Sequence, residues 1–114
     1  MSINAFTALG KTVKVAAAAT APSPSQVPST TLGGNQYRIT NLSSNVACFL
    51  SYSQTSADAA TNCVIPTGSG SNSTTVMVLP AQSTQVLSFV PNAYFTAITA
   101  ADTADVYITP GDGL

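Results

Sequence analysis

Read in steps of two, the chain alternates. In the run 104–109, Ala104, Val106 and Ile108 point one way and Asp105, Tyr107 and Thr109 the other, the period of a strand with one face buried. Val13 and Val15 oppose Thr12 and Lys14 in the same manner across 11–16. Further apolar runs at 36–42, 46–52, 63–66, 74–79, 84–90 and 93–99 are separated by clusters of Ser, Asn, Gly and Pro. Short strands with turn signals every eight to twelve residues predict an all-β chain, an antiparallel β-sandwich or jelly roll of about seven to eight strands.

Within that frame, 36–42 and 46–52 flank the turn Ser43-Ser44-Asn45 and predict a hairpin. The second run is apolar on both faces at its centre, which predicts cover on both sides, from the core and from another subunit or an N-terminal arm. The alanines at 16–19 are too few for a stable helix and precede Pro22, so extended chain is expected. One helical turn is expected at 57–60, capped by Ser56, and a flexible tip at 67–73.

The stretch 20–34 carries Pro22, Pro24 and Pro28 and ends on Gly33 and Gly34, so it cannot be a helix or a central strand. It reads as an extended arm or a long crossing loop. The organisation expected is an N-terminal strand and extended arm at 1–34 and a sandwich body at 35–114, one structural domain overall.

Composition sharpens the functional side. The 114 residues hold three Lys/Arg, four Asp/Glu and no His, so the usual proton carriers and nucleophile activators are nearly missing and a binding role is expected over catalysis. Lys11, Lys14 and Arg38 are too few to neutralise a nucleic-acid backbone. The apolar segment 13–21 falls short of the ~20 residues that span a bilayer, and no basic, apolar leader is read at 1–6. One core is expected, without a metal or disulfide staple, because a chain of this length buries roughly two-thirds of its unfolded surface. Cys48 and Cys63 are expected as reduced, mostly buried thiols.

Candidate motifs have plainer readings. Gly10-Lys11-Thr12 matches the end of a phosphate-binding loop, but Ala5 stands where that motif needs glycine and a strand follows in place of a helix. Asp102, Asp105 and Asp112 are better read as turn and strand residues than as a cation site. The abundant serines have no histidine to activate them. Lys11 and Lys14 fit the blunting of a strand edge. Tyr37, Tyr52, Tyr94 and Tyr107 could form a sugar-stacking platform, but tyrosines are also ordinary strand residues with one wet end, and there is no Trp to sharpen the signal. The sequons at Asn41 and Asn72 read as chance.

Tyr37-Arg38-Ile39-Thr40-Asn41 and the ending, from Tyr94-Phe95-Thr96-Ala97-Ile98-Thr99-Ala100 to Val106-Tyr107-Ile108-Thr109-Pro110-Gly111-Asp112-Gly113, resemble small virion proteins of tailed bacteriophages, of the capsid decoration (cement) type. The resemblance covers roughly residues 35 to 113. It implies a sandwich or jelly roll that attaches as a dimer or trimer where major capsid protein subunits meet and stabilises the shell. It implies no cofactor, no metal, no nucleic acid and no membrane. The implied location is the capsid surface of a virion assembled in the bacterial cytoplasm. The docking arm is then expected at 20–34, through Pro22, Pro24, Val27, Pro28 and Leu32. The alternative is a fibre or adaptor module that binds a host glycan, a receptor or another virion protein.

Overall fold

Alternation in sequence becomes alternation in burial. The computed structural model describes residues 7–28, 36–66 and 76–112. Among these are nine strands and one helix: β1 (Thr7–Ala8), β2 (Val13–Ala17), β3 (Ser25–Gln26), β4 (Gln36–Asn41), β5 (Cys48–Ser53), α1 (Ser56–Asn62), β6 (Met77–Leu79), β7 (Thr84–Ser88), β8 (Tyr94–Ile98) and β9 (Ala104–Asp112). In β9 Ala104, Val106 and Ile108 are buried while Asp105 is exposed, and in β4 Tyr37, Ile39 and Asn41 are buried while Arg38 is exposed. No described helix is long and apolar enough to cross a membrane.

The strands form two antiparallel sheets packed face to face, an all-β sandwich. The first sheet runs β1-β9-β4-β7, with β2 also paired to β9; the second runs β3-β8-β5-β6. Four of the pairings, β2 with β9, β3 with β8, β4 with β7 and β5 with β6, match the two arms of one long hairpin folded at α1. From β2 onward only the β5–β6 connection stays within one sheet. Tyr37, Ile39, Leu50, Leu79, Phe95, Val106 and Ile108, all fully buried, fill the space between the sheets. Tyr37 meets Phe95 edge-on with ring centroids 4.9 Å apart, and Tyr52 meets Phe89 likewise at 4.9 Å.

Residues 36–42 and 46–52 therefore do not form the expected hairpin, since β4 and β5 belong to different sheets. Asn41 gives the reason. Its side-chain amide, fully buried, donates to the carbonyls of Val46 (3.0 Å), Leu79 (3.1 Å) and Pro80 (3.3 Å), and its oxygen accepts from Ser43 N–H (3.0 Å). One side chain thus holds both the β4–β5 and the β6–β7 crossings. An amide enclosed in this way cannot carry a glycan in the folded protein.

The same device recurs at other crossings. Thr96 Oγ1 donates to Pro22 C=O (2.7 Å) between β2 and β3; Thr99 Oγ1 donates to Asp102 C=O (2.7 Å) between β8 and β9. Tyr37 Oη donates to Val90 C=O (2.6 Å) and accepts from Ala93 N–H (3.2 Å) between β7 and β8. Each crossing leaves the ladder and would strand backbone groups near the core, so a buried polar side chain meets them. Among the described residues no buried side-chain nitrogen or oxygen lacks a partner.

Other expectations shift locally. The helix is capped by Thr55, whose hydroxyl accepts from Asp58 N–H, not by Ser56, and it runs to Asn62. Residues 63–66 form no strand, because Cys63 closes the helix with its N–H on Ala60 C=O. The last strand continues through Pro110 to Asp112. A proline is tolerated there because its nitrogen faces away from β4, on the side where β1 and β2 leave a gap between Ala8 and Val13; its C=O accepts from Leu9 N–H and only the return bond to Leu9 C=O is forgone. Gly10 lies in that gap, and a Cβ there would come within 2.7 Å of Pro110 Cγ. Close packing on a strand, not a phosphate, accounts for this glycine.

The N-terminal segment is built into the sandwich. After β2 the chain crosses at Ala18, which bridges Ile98 of the other sheet, and β3 then pairs with β8. Strands β1, β2 and β3 thus line one lateral side, and β6 and β7 form the other.

Candidate functional site

The two outer faces of the sandwich differ. Over the second sheet lies α1, with Ala59 fully buried and Ser51 Oγ donating to Ala59 C=O at 2.8 Å. This helix, not another subunit, covers the far face of β5. Cys63 closes this helix, while Cys48 belongs to the core on the inward face. Both thiols are free and buried. Burial pushes the Cys48 thiol up to about 11, helped by the nearby Cys63, and pushes Cys63 up as well.

No described element lies over the outer face of the first sheet. The pairing register arranges it in rows: Lys14, Tyr107, Thr40 and Thr84 in one, and Thr109, Arg38 and Val86 in the next. Hydroxyls bridge neighbours, Thr12 to Thr109 at 2.7 Å and Thr40 to Thr84 at 3.3 Å. Lys14 approaches Asp105 at 3.7 Å, but both are half exposed and the pair contributes little. Arg38 has no ion-pair partner among the described residues. The face is a low-charge, hydroxyl-rich plane with Arg38 and Tyr107 on its inner strands β4 and β9, residue types that serve as anchors in interfaces, and the exposed Val86 on its edge strand.

The residues expected to dock are placed differently from a free arm. Val27 is fully buried in the protein's own core, with its N–H on Ala93 C=O, and Pro22 C=O is taken by Thr96. Pro24 is half-buried and Pro28 exposed; Leu32 lies outside the described residues. Residues 20–24 thus belong to the crossing between β2 and β3, and 25–28 run on along β8, held there because Val27 gains more from the core than from solvent. The four tyrosines do not share a face: Tyr37 and Tyr52 point into the core, and Tyr94 and Tyr107 lie on the outer faces of opposite sheets. They therefore make no common stacking platform, in keeping with their reading as ordinary strand residues.

Among the described residues are two open recesses. One of about 550 Å³ is lined by Tyr52, Asn62, Val76 and Met77, and one of about 280 Å³ by Leu42, Ser43, Ser44, Thr103, Ala104 and Asp105. Neither lining pairs an acid with a base. Among the described residues no three His, Cys, Asp or Glu gather as a metal site. Sequence reasoning missed Arg38 as the centre of the open face. Its place opposite the buried Tyr37 and Ile39 in the same run was the available signal. Compared with known proteins, the chain matches no family model, no curated protein and no solved structure.

Proposed function

We propose that this protein is a structural virion component, a capsid decoration protein that binds where major capsid protein subunits meet and stabilises the shell without catalysis. The observation that carries the reading is the asymmetry of the sandwich: one sheet is covered by its own helix, while the other presents a broad plane of hydroxyls around Arg38 and Tyr107. Ordering Ser and Thr in a contact costs less side-chain entropy than ordering Lys or Glu, which suits a large stationary interface. The order β2-β9-β4-β7 against β3-β8-β5-β6, with its long-hairpin pairings, supports the jelly-roll form of the sandwich. That architecture recurs in viral capsid domains, a support by analogy.

On this reading docking passes from the N-terminal arm to the open face, and strength comes from several weak contacts fixed together on the shell. The test is co-sedimentation of the purified chain with shells assembled from the major capsid protein of the same virus. Wild type travels with the shells and protects them against heat. Arg38→Ala combined with Tyr107→Ala folds normally and stays in the supernatant. Wild type that fails to travel with the shells overturns the reading.

A further inference from the structure

Strand β7 bounds the first sheet on the side away from the N-terminal strands, and the hydrogen-bond phase tells which of its groups face outward. Asn41 N–H donates to Ser83 C=O at 2.9 Å, so that pair is of the bonded kind. Bonded and non-bonded pairs alternate along an antiparallel ladder. With Ile39 opposite Gln85 and Tyr37 opposite Leu87, these two residues of β7 turn their N–H and C=O toward β4, whereas Thr84, Val86 and Ser88 turn theirs outward. The far side of β4 agrees: Leu42 N–H donates to Asp105 C=O, so the even-numbered residues of β4 serve β9 and the odd-numbered ones serve β7. Among the described residues no strand meets the outward groups of β7.

We propose that this edge pairs with the same edge of a second copy, antiparallel, about a two-fold axis through Val86. In that register Val86 faces Val86 of the second copy and Thr84 faces Ser88, pairs whose N–H and C=O point outward, while Gln85 faces Leu87 in the non-bonded pairs between them. Each outward-pointing pair exchanges two backbone hydrogen bonds, and the two five-stranded sheets become one continuous sheet. Val86, 53% exposed in the single chain, packs on its counterpart, flanked by hydroxyl pairs of the kind that favour cross-strand contact.

Charge selects the occupant. Residues 59–101 contain no Lys, Arg, Asp or Glu, and both β6 and β7 lie within them. The opposite edge carries Lys14, with Lys11 just before the strand, the usual guard against edge pairing. A strand that fits β7 must be extended, uncharged and able to set a small apolar side chain opposite Val86 with a hydroxyl two residues to either side. β7 itself meets each condition. Arg38 would stand three strand spacings from its counterpart, about 14 Å, beyond the Debye length of ~8–10 Å, so it does not oppose the pairing. Gln85 Nε2, 3.5 Å from Val78 C=O, ties β7 to β6 and keeps the edge in place. The pairing supplies the two-headed ligand that multivalent shell binding needs; it rests on that reading for its purpose and not for its existence.

The test is sedimentation of the full chain from about 1 µM to about 1 mM, since a small interface of this kind associates weakly. Wild type is expected to move from 11.5 kDa toward twice that mass as concentration rises. Val86→Pro removes an N–H that makes no bond within the single chain, so the fold is kept while dimerisation weakens by about a hundredfold or more. Val86→Lys, which sets two ammonium groups face to face, is expected to do the same, and Thr103→Lys, away from the edge, to leave the dimer unchanged. Circular dichroism reports folding of each variant. A wild type that stays monomeric throughout, or folded Val86 variants that dimerise as tightly as wild type, overturns the proposal. Dimerisation without shell binding keeps it and removes the function proposed above; shell binding by a monomer does the reverse.

Discussion

The Tyr37 hydroxyl donates to the Val90 carbonyl at 2.6 Å, joining the start of β4 to the crossing that leads from β7 to β8. The same oxygen accepts from the N–H of Ala93, which is fully buried. Removing the hydroxyl strands a buried donor and an acceptor at once. Tyr37→Phe is therefore expected to cost about 1–3 kcal/mol in urea unfolding. Tyr52→Phe keeps the edge contact with Phe89 and serves as the comparison, with a cost under about 0.5 kcal/mol.

Asn41 is the most sensitive single position, because its amide serves three carbonyls at two crossings. Asn41→Asp turns a donor into a carboxylate facing carbonyl oxygens, which only the protonated acid tolerates. Its folded-state pKa is thereby raised, so its stability is present below the ordinary carboxylate range and lost as pH rises through the raised value. Thermal melts at pH 4 and pH 7 should show a smaller deficit against wild type at the lower pH, and a loss of about 3 kcal/mol or more at the higher.

Alkaline pH acts through Cys48. Its thiol, raised from 9.0 to about 11 by burial first and by Cys63 second, stays neutral in the folded chain after the unfolded chain has ionised. The stability it contributes is complete below about pH 9 and falls as pH rises toward 11. Denaturant midpoints measured across that window should fall for wild type and fall less for Cys48→Ala. Thiol-labelling reagents should react with the native protein far more slowly than with the unfolded chain.

Two backbone positions give opposite signs. Gly10→Ala drives a methyl toward Pro110 Cγ, 2.7 Å away, and is expected to cost about 1–3 kcal/mol. Gln82 holds φ at 56°, where an L side chain is strained, between Pro80 and the start of β7. Gln82→Gly should raise the melting point modestly, since relief of about 1–2 kcal/mol exceeds the ~0.5–1 kcal/mol of added chain entropy.

Strands were legible in two ways: 11–16 and 104–109 carry the period of two that a half-buried strand needs, and runs such as 36–42, 84–90 and 93–99 are strand-forming stretches bounded by turn residues. The error at β4 and β5 has a local cause. Asn41 sits on the inward parity of Tyr37 and Ile39, and read as a polar residue before Ser43 it looks like the start of a turn. Folded, it is the buried peg around which the chain changes sheet. Between the two readings of 20–34, an extended arm or a long crossing loop, the three prolines could not choose; in the described part the buried Val27 holds the chain against the core.

Strand spacing, the inward side of each clear alternation and the scarcity of charge could be read directly along the chain, because they depend only on sequence neighbours. Tertiary structure decided which sheet each strand joined, which outer face α1 covered and which edge was left without a partner. Those outcomes depend on contacts between residues far apart in sequence, such as Tyr37 with Val90 and Asn41 with Leu79, and no local pattern encodes them.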